Sequence, residues 1–304
     1  MRAGQLFSKS VSNSVAVGLI SGTGAALLWA IGYVATRYGL DVGFSPVDLA
    51  IHRFTWSGLA FLPLVMRAGI GDLGGIGWGR GLLLALLGGT GFSIISFTGY
   101  PLVPLGHAGV IQPSSITLGG VILAALVLGE KLVTSRIVGA AIIVCGLGAI
   151  GSEAISTIGT HGVAGDLIFV LAGLMYAAFI TLLRLWRIQA TSAAAVISVL
   201  SLLPLPLFWA FGCFAHMAAL GWHENILQAV VQGVLAGPAA LYLFAHSVAV
   251  LGAGRAATVN ALVPPFVLLT GWLALGSVPT ILQIVGMVIV VTGFRLIQKT
   301  SGVL

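Results

Sequence analysis

Charge is what this sequence has least of. Asp, Glu, Lys and Arg together make up 7% of its 304 residues, against about a quarter in a soluble domain, and its mean hydropathy is +1.13. A soluble globular fold is thereby excluded, and the chain reads as a membrane protein. Acids are scarcest of all, with seven against thirteen basic residues. Asp48 and Asp166 fall at expected helix ends, Glu130 in a turn and the others in loops, so no carboxylate is expected at the midplane. Pumps and symporters use buried Asp, Glu or His relays, so facilitated diffusion or exchange is expected rather than ion coupling. Cysteine is nearly absent too: Cys145 and Cys213 lie in apolar runs without a CxxC or Cys/His neighbour, which excludes a thiolate metal site or redox pair. No Walker lysine loop, GxSxG elbow, HExxH helix or paired catalytic carboxylates occur. The chain is therefore expected to be no enzyme, to need no cofactor and to hold no metal. Its net charge of +6 comes without a basic run interleaved with aromatics, which speaks against nucleic acid.

What is present is a series of apolar runs. Each crossing takes roughly 20 residues for about 30 Å of hydrocarbon, and runs punctuated by charge, Pro or Gly predict helices near 15–37, 45–66, 80–100, 104–128, 133–151, 164–185, 191–213, 225–250, 255–275 and 279–298. Arg2 and Lys9 precede the first of these without a cleavage signal, so Val15 onward is expected to be a genuine span. The chain also repeats itself. Residues 108–146 and 255–293 align with Gly129 and Gly276 equivalent, an offset of 276 − 129 = 147. From Leu126 to Leu147 nine of 22 positions are identical at that offset, among them Leu128, Gly139 and Gly146, and the same offset pairs Trp29 with Tyr176, Arg37 with Arg184 and Phe97 with Phe244. This is a duplication, with units expected at 15–151 and 164–298. Five spans per unit is an odd number, so the second unit enters the membrane from the opposite side, and the fold class expected is an all-α membrane protein of ten transmembrane helices in a 5+5 inverted repeat. Eleven Lys and Arg residues fall on one side of that arrangement and Arg37 alone on the other, which places both termini in the cytoplasm.

The duplicated five-helix unit, the Leu-Gly-Glu turn at Leu128–Glu130 and the region of Trp29 resemble the drug/metabolite transporter superfamily, EamA type. The resemblance covers nearly the whole chain, and it implies a ten-helix transporter of small metabolites, often an exporter, with the YddG-like amino-acid exporters among the close subgroups. One departure is plain: Ser277 stands where the first unit has Glu130, so a role for that glutamate is not symmetric.

Candidate lining residues follow from helical spacing and from proline. Ser93, Ser96, Phe97 and Tyr100 recur at i, i+3, i+4 and i+7, one stripe of span 3. Lipid offers hydroxyls nothing, so such a stripe belongs against protein or a cavity. Trp29 and Tyr33, Tyr176 and Phe179, and Tyr242 and His246 form similar pairs in spans 1, 6 and 8. Pro264-Pro265, in the middle of the ninth run, is expected to interrupt the helix and free carbonyls near Asn260–Pro264. Gln112-Pro113-Ser114-Ser115 in span 4 is its counterpart in the first unit, with Gln112 and Ser115 facing the substrate. The bland alternatives are a bundle-shaping kink for the prolines and interfacial belts for the aromatics, the latter favoured at Tyr38 and Trp222. Arg53, about two turns into span 2, is costly at roughly 2.5–3.5 kcal/mol on insertion scales; pairing with Asp48 or free carbonyls is one expectation, a snorkelling structural arginine the other. His52 and His246 read as packed neutral histidines, and His107 as solvated at the outer start of span 4.

The expected function is a permease that exports a small polar metabolite, an amino acid first, by alternating access through an aromatic, hydroxyl and amide cavity. Phosphate-ester or nucleotide-sugar antiport is weaker, since phosphate asks for paired cations and the interior offers Arg53. Nucleobases and lipophilic drugs remain alternatives. A membrane-embedded lipid-modification subunit is another, from a different class, but no nucleophile and base are tied together by any motif. The partners expected are the small-molecule substrate and the bilayer of a bacterial inner membrane, with the chain a monomer or weak homodimer.

Overall fold

The computed structural model describes residues 3–153, 159–251 and 261–299. All regular structure among them is helical. Among the described residues, nine helices are long and apolar enough to cross a membrane: Val15–Asp41, Pro46–Gly69, Trp78–Leu102, Leu105–Leu128, Thr134–Glu153, His161–Leu185, Ala190–Ala210, Trp222–Leu251 and Ile281–Gln298. A shorter apolar helix, Val263–Leu275, lies between the last two. In chain order these ten are spans 1 to 10, with Val263–Leu275 as span 9.

Local chemistry sets their ends. Span 2 opens on a capping box: Asp48 N–H donates to Ser45 Oγ at 3.1 Å and Ser45 N–H to Asp48 Oδ2 at 2.8 Å, with Pro46 in the first turn. Spans 4 and 9 both end on a glycine in the left-handed region, Gly129 at φ 68° and Gly276 at φ 65°, where a Cβ would be strained. The next amide then reaches back six residues in both, Glu130 N–H to Ala124 O at 3.1 Å and Ser277 N–H to Gly271 O at 3.3 Å. The offset of 147 read from the sequence therefore holds down to individual cap bonds.

Packing obeys the same exchange. Spans 2 and 7, 4 and 9, and 5 and 10 each pack on their own repeat equivalent. Span 1 packs on span 8 as span 6 does on span 3, and span 4 on span 6 as span 9 does on span 1. Swapping the two units reproduces every one of these pairs, as an inverted repeat requires. The seam between spans 5 and 10 is made of glycine. A Cβ on Gly139 would lie 2.8 Å from Gly293 O, and one on Gly146 2.8 Å from Gly286 O. The apolar core runs through spans 1 to 5 and their neighbours, with Phe169, Leu49, Ile143 and Val267 fully buried.

Spans 3, 7 and 8 are interrupted among the described residues, span 7 by the turn at residues 201–204, and spans 3 and 8 are repeat equivalents. Span 3 breaks at Gly89 (φ −107°, ψ −134°), between helices Trp78–Gly88 and Thr90–Gly99. In span 8 a π-helical segment, Ala229–Ala239, contains the non-helical Gly237 followed by Pro238. Gly237 is one position from the equivalent of Gly89. The break expected at Pro264-Pro265 falls at the start of Val263–Leu275, with both prolines in its first turn, where an amide would have no partner within the helix; residues 252–260 before it lie outside those described.

Candidate substrate site

Aromatic rings from spans 1, 3 and 6 converge beside Arg53 of span 2. Tyr100 is 2% exposed; its ring centroid lies 6.2 Å from that of Tyr33, 6.2 Å from Phe97 and 5.2 Å from Phe169. Tyr176 stands 5.1 Å from Phe92 and 5.2 Å from Phe179, tilted geometries that aromatic pairs favour. The Arg53 guanidinium carbon lies 5.8 Å from the Phe97 centroid, and Tyr33, Tyr100 and Tyr176 are its electrostatic neighbours. Behind this ring wall, Ser96 Oγ donates to Gln112 Oε1 at 2.8 Å, both residues buried.

The polar stripe of span 3 thus faces protein, as its spacing predicts. Tyr33, Ser96, Tyr100, Gln112, Tyr176 and Phe179 are all brought to this region. Ser93 is fully buried, and its hydroxyl has no hydrogen-bond partner among the described residues. Ser115 is buried against Gly173 of span 6. Trp29 packs instead against Phe244 of span 8, with ring centroids 5.4 Å apart and tilted by 51°. Tyr242 stands apart: it is 71% exposed and stacks on His246 at 6.5 Å, and His246 Nδ1 lies 3.0 Å from Ser21 Oγ. Pro264 is buried at the start of span 9. Asn260 lies outside the described residues.

Several polar residues escaped the sequence reading. Thr90 and Ser201 carry hydroxyls without partners at the break in span 3, where a Cβ on Gly89 would come within 2.9 Å of Ser201 Oγ. In span 8, Gln228 and Gln232 are fully buried and lace it to span 1, donating to Ala35 O at 2.9 Å, Gly32 O at 3.1 Å and Thr36 Oγ1 at 2.8 Å. Gly88-Gly89-Thr90-Gly91 and Gly237-Pro238 at a common offset were the available signal for both regions.

The expected partners of the titratable groups also change. Asp48 does not reach Arg53; its Oδ2 takes the Ser45 amide and lies 2.8 Å from His216 Nδ1. His107, expected to be solvated, is fully buried, with Nδ1 2.8 Å from Asp166 Oδ1 and Nε2 3.6 Å from Glu153 Oε2. Glu153, expected in a loop, ends span 5 buried and accepts from Thr280 Oγ1 at 2.9 Å and Gln283 Nε2 at 3.2 Å. Both groupings tie helix ends at the face opposite Glu130. At that other face Glu130 joins Arg136 at 2.7 Å and also Arg184. The Arg136 hydrogen bond foremost, then Arg184, holds the Glu130 carboxyl below its ordinary value. A separate open groove of about 470 Å³, lined by Pro265, Met287, Val291, Thr292 and Arg295, contains none of the converging residues.

The EamA-like transporter family model matches twice, over residues 16–152 and 163–298. The chain belongs to that family. A relative from Streptantibioticus cattleyicolor, named a probable terminal-alkyne amino-acid exporter, is 28% identical over 302 residues, covering 90% of each chain. A solved crystal structure aligns with 94% of this chain and 96% of its own at a TM-score of 0.59, with 19% identity; that likeness concerns the fold alone. As an EamA-like protein the chain is a multi-pass membrane transporter, and the interrupted spans take on meaning. Irregular backbone at membrane depth is tolerated where it is buried in protein or lines a water-filled path, and discontinuous helices commonly form transporter sites near the midplane.

Proposed function

We propose that this transporter exports a small metabolite with amino-acid chemistry by alternating access, without obligatory ion coupling. The reading is carried by one observation: an interior of phenol, hydroxyl and amide groups around Arg53, assembled from spans 1, 2, 3, 4 and 6. Aromatic faces cover an apolar side chain, while hydroxyl and amide groups replace the water around a polar backbone. The name of the Streptantibioticus cattleyicolor relative is consistent with the same substrate class. A phosphorylated substrate fits less well, because its two or more charges call for several converging cations.

Alternating access is supported by the inverted repeat, whose two units exchange roles when one closed face opens and the other shuts. The paired units are taken as 15–151 and 164–298, the termini as cytoplasmic and the membrane as a bacterial inner membrane. The basic residues gathered on one side support that orientation.

The test is counterflow. Purified protein in liposomes preloaded in turn with each of the twenty proteinogenic L-amino acids and L-propargylglycine should exchange a subset of them with no pH or sodium gradient imposed. A strict requirement for either gradient removes the uncoupled reading. No exchange of any amino acid removes the substrate class.

A further inference from the structure

Arginines elsewhere in the described structure are either exposed, as Arg67, Arg187 and Arg295 are, or visibly provided for. Arg37 is held by Asp41 at 3.1 Å and donates to Tyr100 O at 2.8 Å. Arg136 and Arg184 share Glu130, and Arg80 lies over Trp186 at 5.2 Å. Arg53 differs. Seven residues beyond Pro46, it stands roughly 10 Å into span 2, and its guanidinium makes no hydrogen bond or ion pair among the described residues. The neighbouring acid on its own helix, Asp48, is committed to Ser45 and His216. From the facing spans the Phe97 ring covers it at 5.8 Å, and Tyr33, Tyr100 and Tyr176 are its electrostatic neighbours. No carboxylate comes from any of them.

A ring face offsets part of the cost of desolvating a guanidinium, but leaves five N–H donors in a fixed fork without an anion. A cation kept inside a membrane protein in that state marks a substrate or ion path by default. The fork matches a carboxylate in shape, through two parallel charge-assisted bonds. A phenol O–H is a donor suited to the remaining lone pairs of such an anion.

We propose that Arg53 is the binding residue for the free carboxylate of the transported substrate. This deepens the transport reading and rests on it: the substrate class is narrowed to molecules bearing one unesterified, unamidated carboxylate, and the amine becomes the less demanding end. The three phenols act as its positioning wall. A simple carboxylic acid presents the same chemistry as an amino acid, so the probes must separate the two.

The test measures thermal stabilisation of detergent-purified protein and counterflow in parallel. The probes are the twenty L-amino acids, then, for the strongest, its carboxamide and the deaminated acid with the same side chain. Wild-type protein should respond to the amino acid and the deaminated acid, and at least tenfold more weakly to the carboxamide, the loss expected for a charge-assisted pair. Arg53→Gln should lower the response to both acids by tenfold or more and abolish the preference over the carboxamide. Arg53→Lys, which keeps the charge but not the fork, should fall between. A folded Arg53→Gln protein that still prefers acid to amide overturns the proposal, as does a wild-type protein that treats them alike or responds to no acid. Should deaminated acids bind through Arg53 while no amino acid is exchanged, the carboxylate site stands and the amino-acid reading falls. Should amino acids be exchanged equally by wild type and Arg53→Gln, the reverse holds. Where Arg53→Gln does not fold, Arg53→Lys carries the same acid-to-amide comparison.

Discussion

The glycine seam between spans 5 and 10 gives the sharpest test of the fold. Lipid tails are as apolar as leucine, so helix association in a membrane rests on close packing, which small residues permit. At Gly146 an added Cβ would stand 2.8 Å from Gly286 O and 2.8 Å from Val290 Cγ2, whereas ordinary contact begins at 3.4 Å. Gly146→Ala therefore forces the backbones apart by 3.4 − 2.8 = 0.6 Å. Overpacking of this kind costs about 1–3 kcal/mol, and no flexible side-chain tip can absorb it because the atom met is a backbone carbonyl. Gly148, two residues along the same helix, has nothing within 4 Å of its built Cβ, so Gly148→Ala is neutral or mildly stabilising through helix propensity. Thermal unfolding in detergent should show a drop of a few degrees for Gly146→Ala and none for Gly148→Ala. The reciprocal contact adds a second check. Once Gly146→Ala has opened the crossing, Gly286→Ala at the same point should add less than its separate cost, whereas Gly139→Ala, which meets Gly293, should add nearly its full cost. Equal stabilities of Gly146→Ala and Gly148→Ala would refute the seam.

Three further outcomes follow from other contacts. Lys131 and Val278 are repeat equivalents and both exposed; cysteines placed there, in a background lacking Cys145 and Cys213, should be labelled from the cytoplasm and from outside respectively, and labelling from one side would contradict the inversion. Glu130 has a folded-state pKa below its ordinary 4.5, chiefly through Arg136 and then Arg184, so its contribution is complete at neutral pH and is lost as pH falls below about 4.5 through the folded value. Glu130→Gln should cost about 1 kcal/mol at pH 7, a difference that shrinks in unfolding measurements at pH 4 and below. His107→Leu leaves half-buried Asp166 and buried Glu153 without the imidazole between them and should cost about 1–3 kcal/mol; an unchanged melting temperature would show the grouping to be dispensable.

The contrast between Ser96 and Tyr242 shows how far the sequence carried. Spacing alone reveals which residues share a stripe, and the hydroxyls of Ser93 and Ser96 turned that stripe inward, against protein. Tyr242 and His246 also share a stripe, yet Tyr242 faces outward, because an aromatic ring is tolerated on either side of a membrane helix and hydropathy does not fix its rotation. The duplication was legible because glycines at 129, 139 and 146 recur at 276, 286 and 293, where caps and close crossings accept nothing larger. Pairings across long separations were not legible: His216 is 168 residues from Asp48, and Glu130 and Arg184 lie 54 apart. In span 9 the prolines fall where the helix Val263–Leu275 begins, and residues 252–260 lie outside those described. The breaks fell at Gly89 and Gly237, where glycine alone fits beside the Ser201 and Ser57 hydroxyls.

The placement of those breaks joins the fold to the site. Spans 3 and 8 occupy equivalent positions, and each packs on span 1 or span 6 of the other unit as well as on span 2 or span 7. Span 3 carries Ser93, Ser96, Phe97 and Tyr100 on the segment beyond its break, and span 8 carries Gln228 and Gln232 on the segment before its own. Because the repeat is inverted, these two segments, which are not repeat equivalents, lie at the same face of the membrane. Each is anchored at that face: Arg37 holds the end of span 3 through Tyr100 O and Val103 O, and Asn225 holds the start of span 8 through Met217 O and Gly221 O. The unanchored ends meet the breaks, where Thr90, Ser93 and Ser201 hydroxyls go without partners. A hinge needs a point that absorbs backbone rotation at small cost in hydrogen bonds. The same two glycines that interrupt the ladders therefore separate the half of each span that carries these buried polar groups from the half at the opposite face.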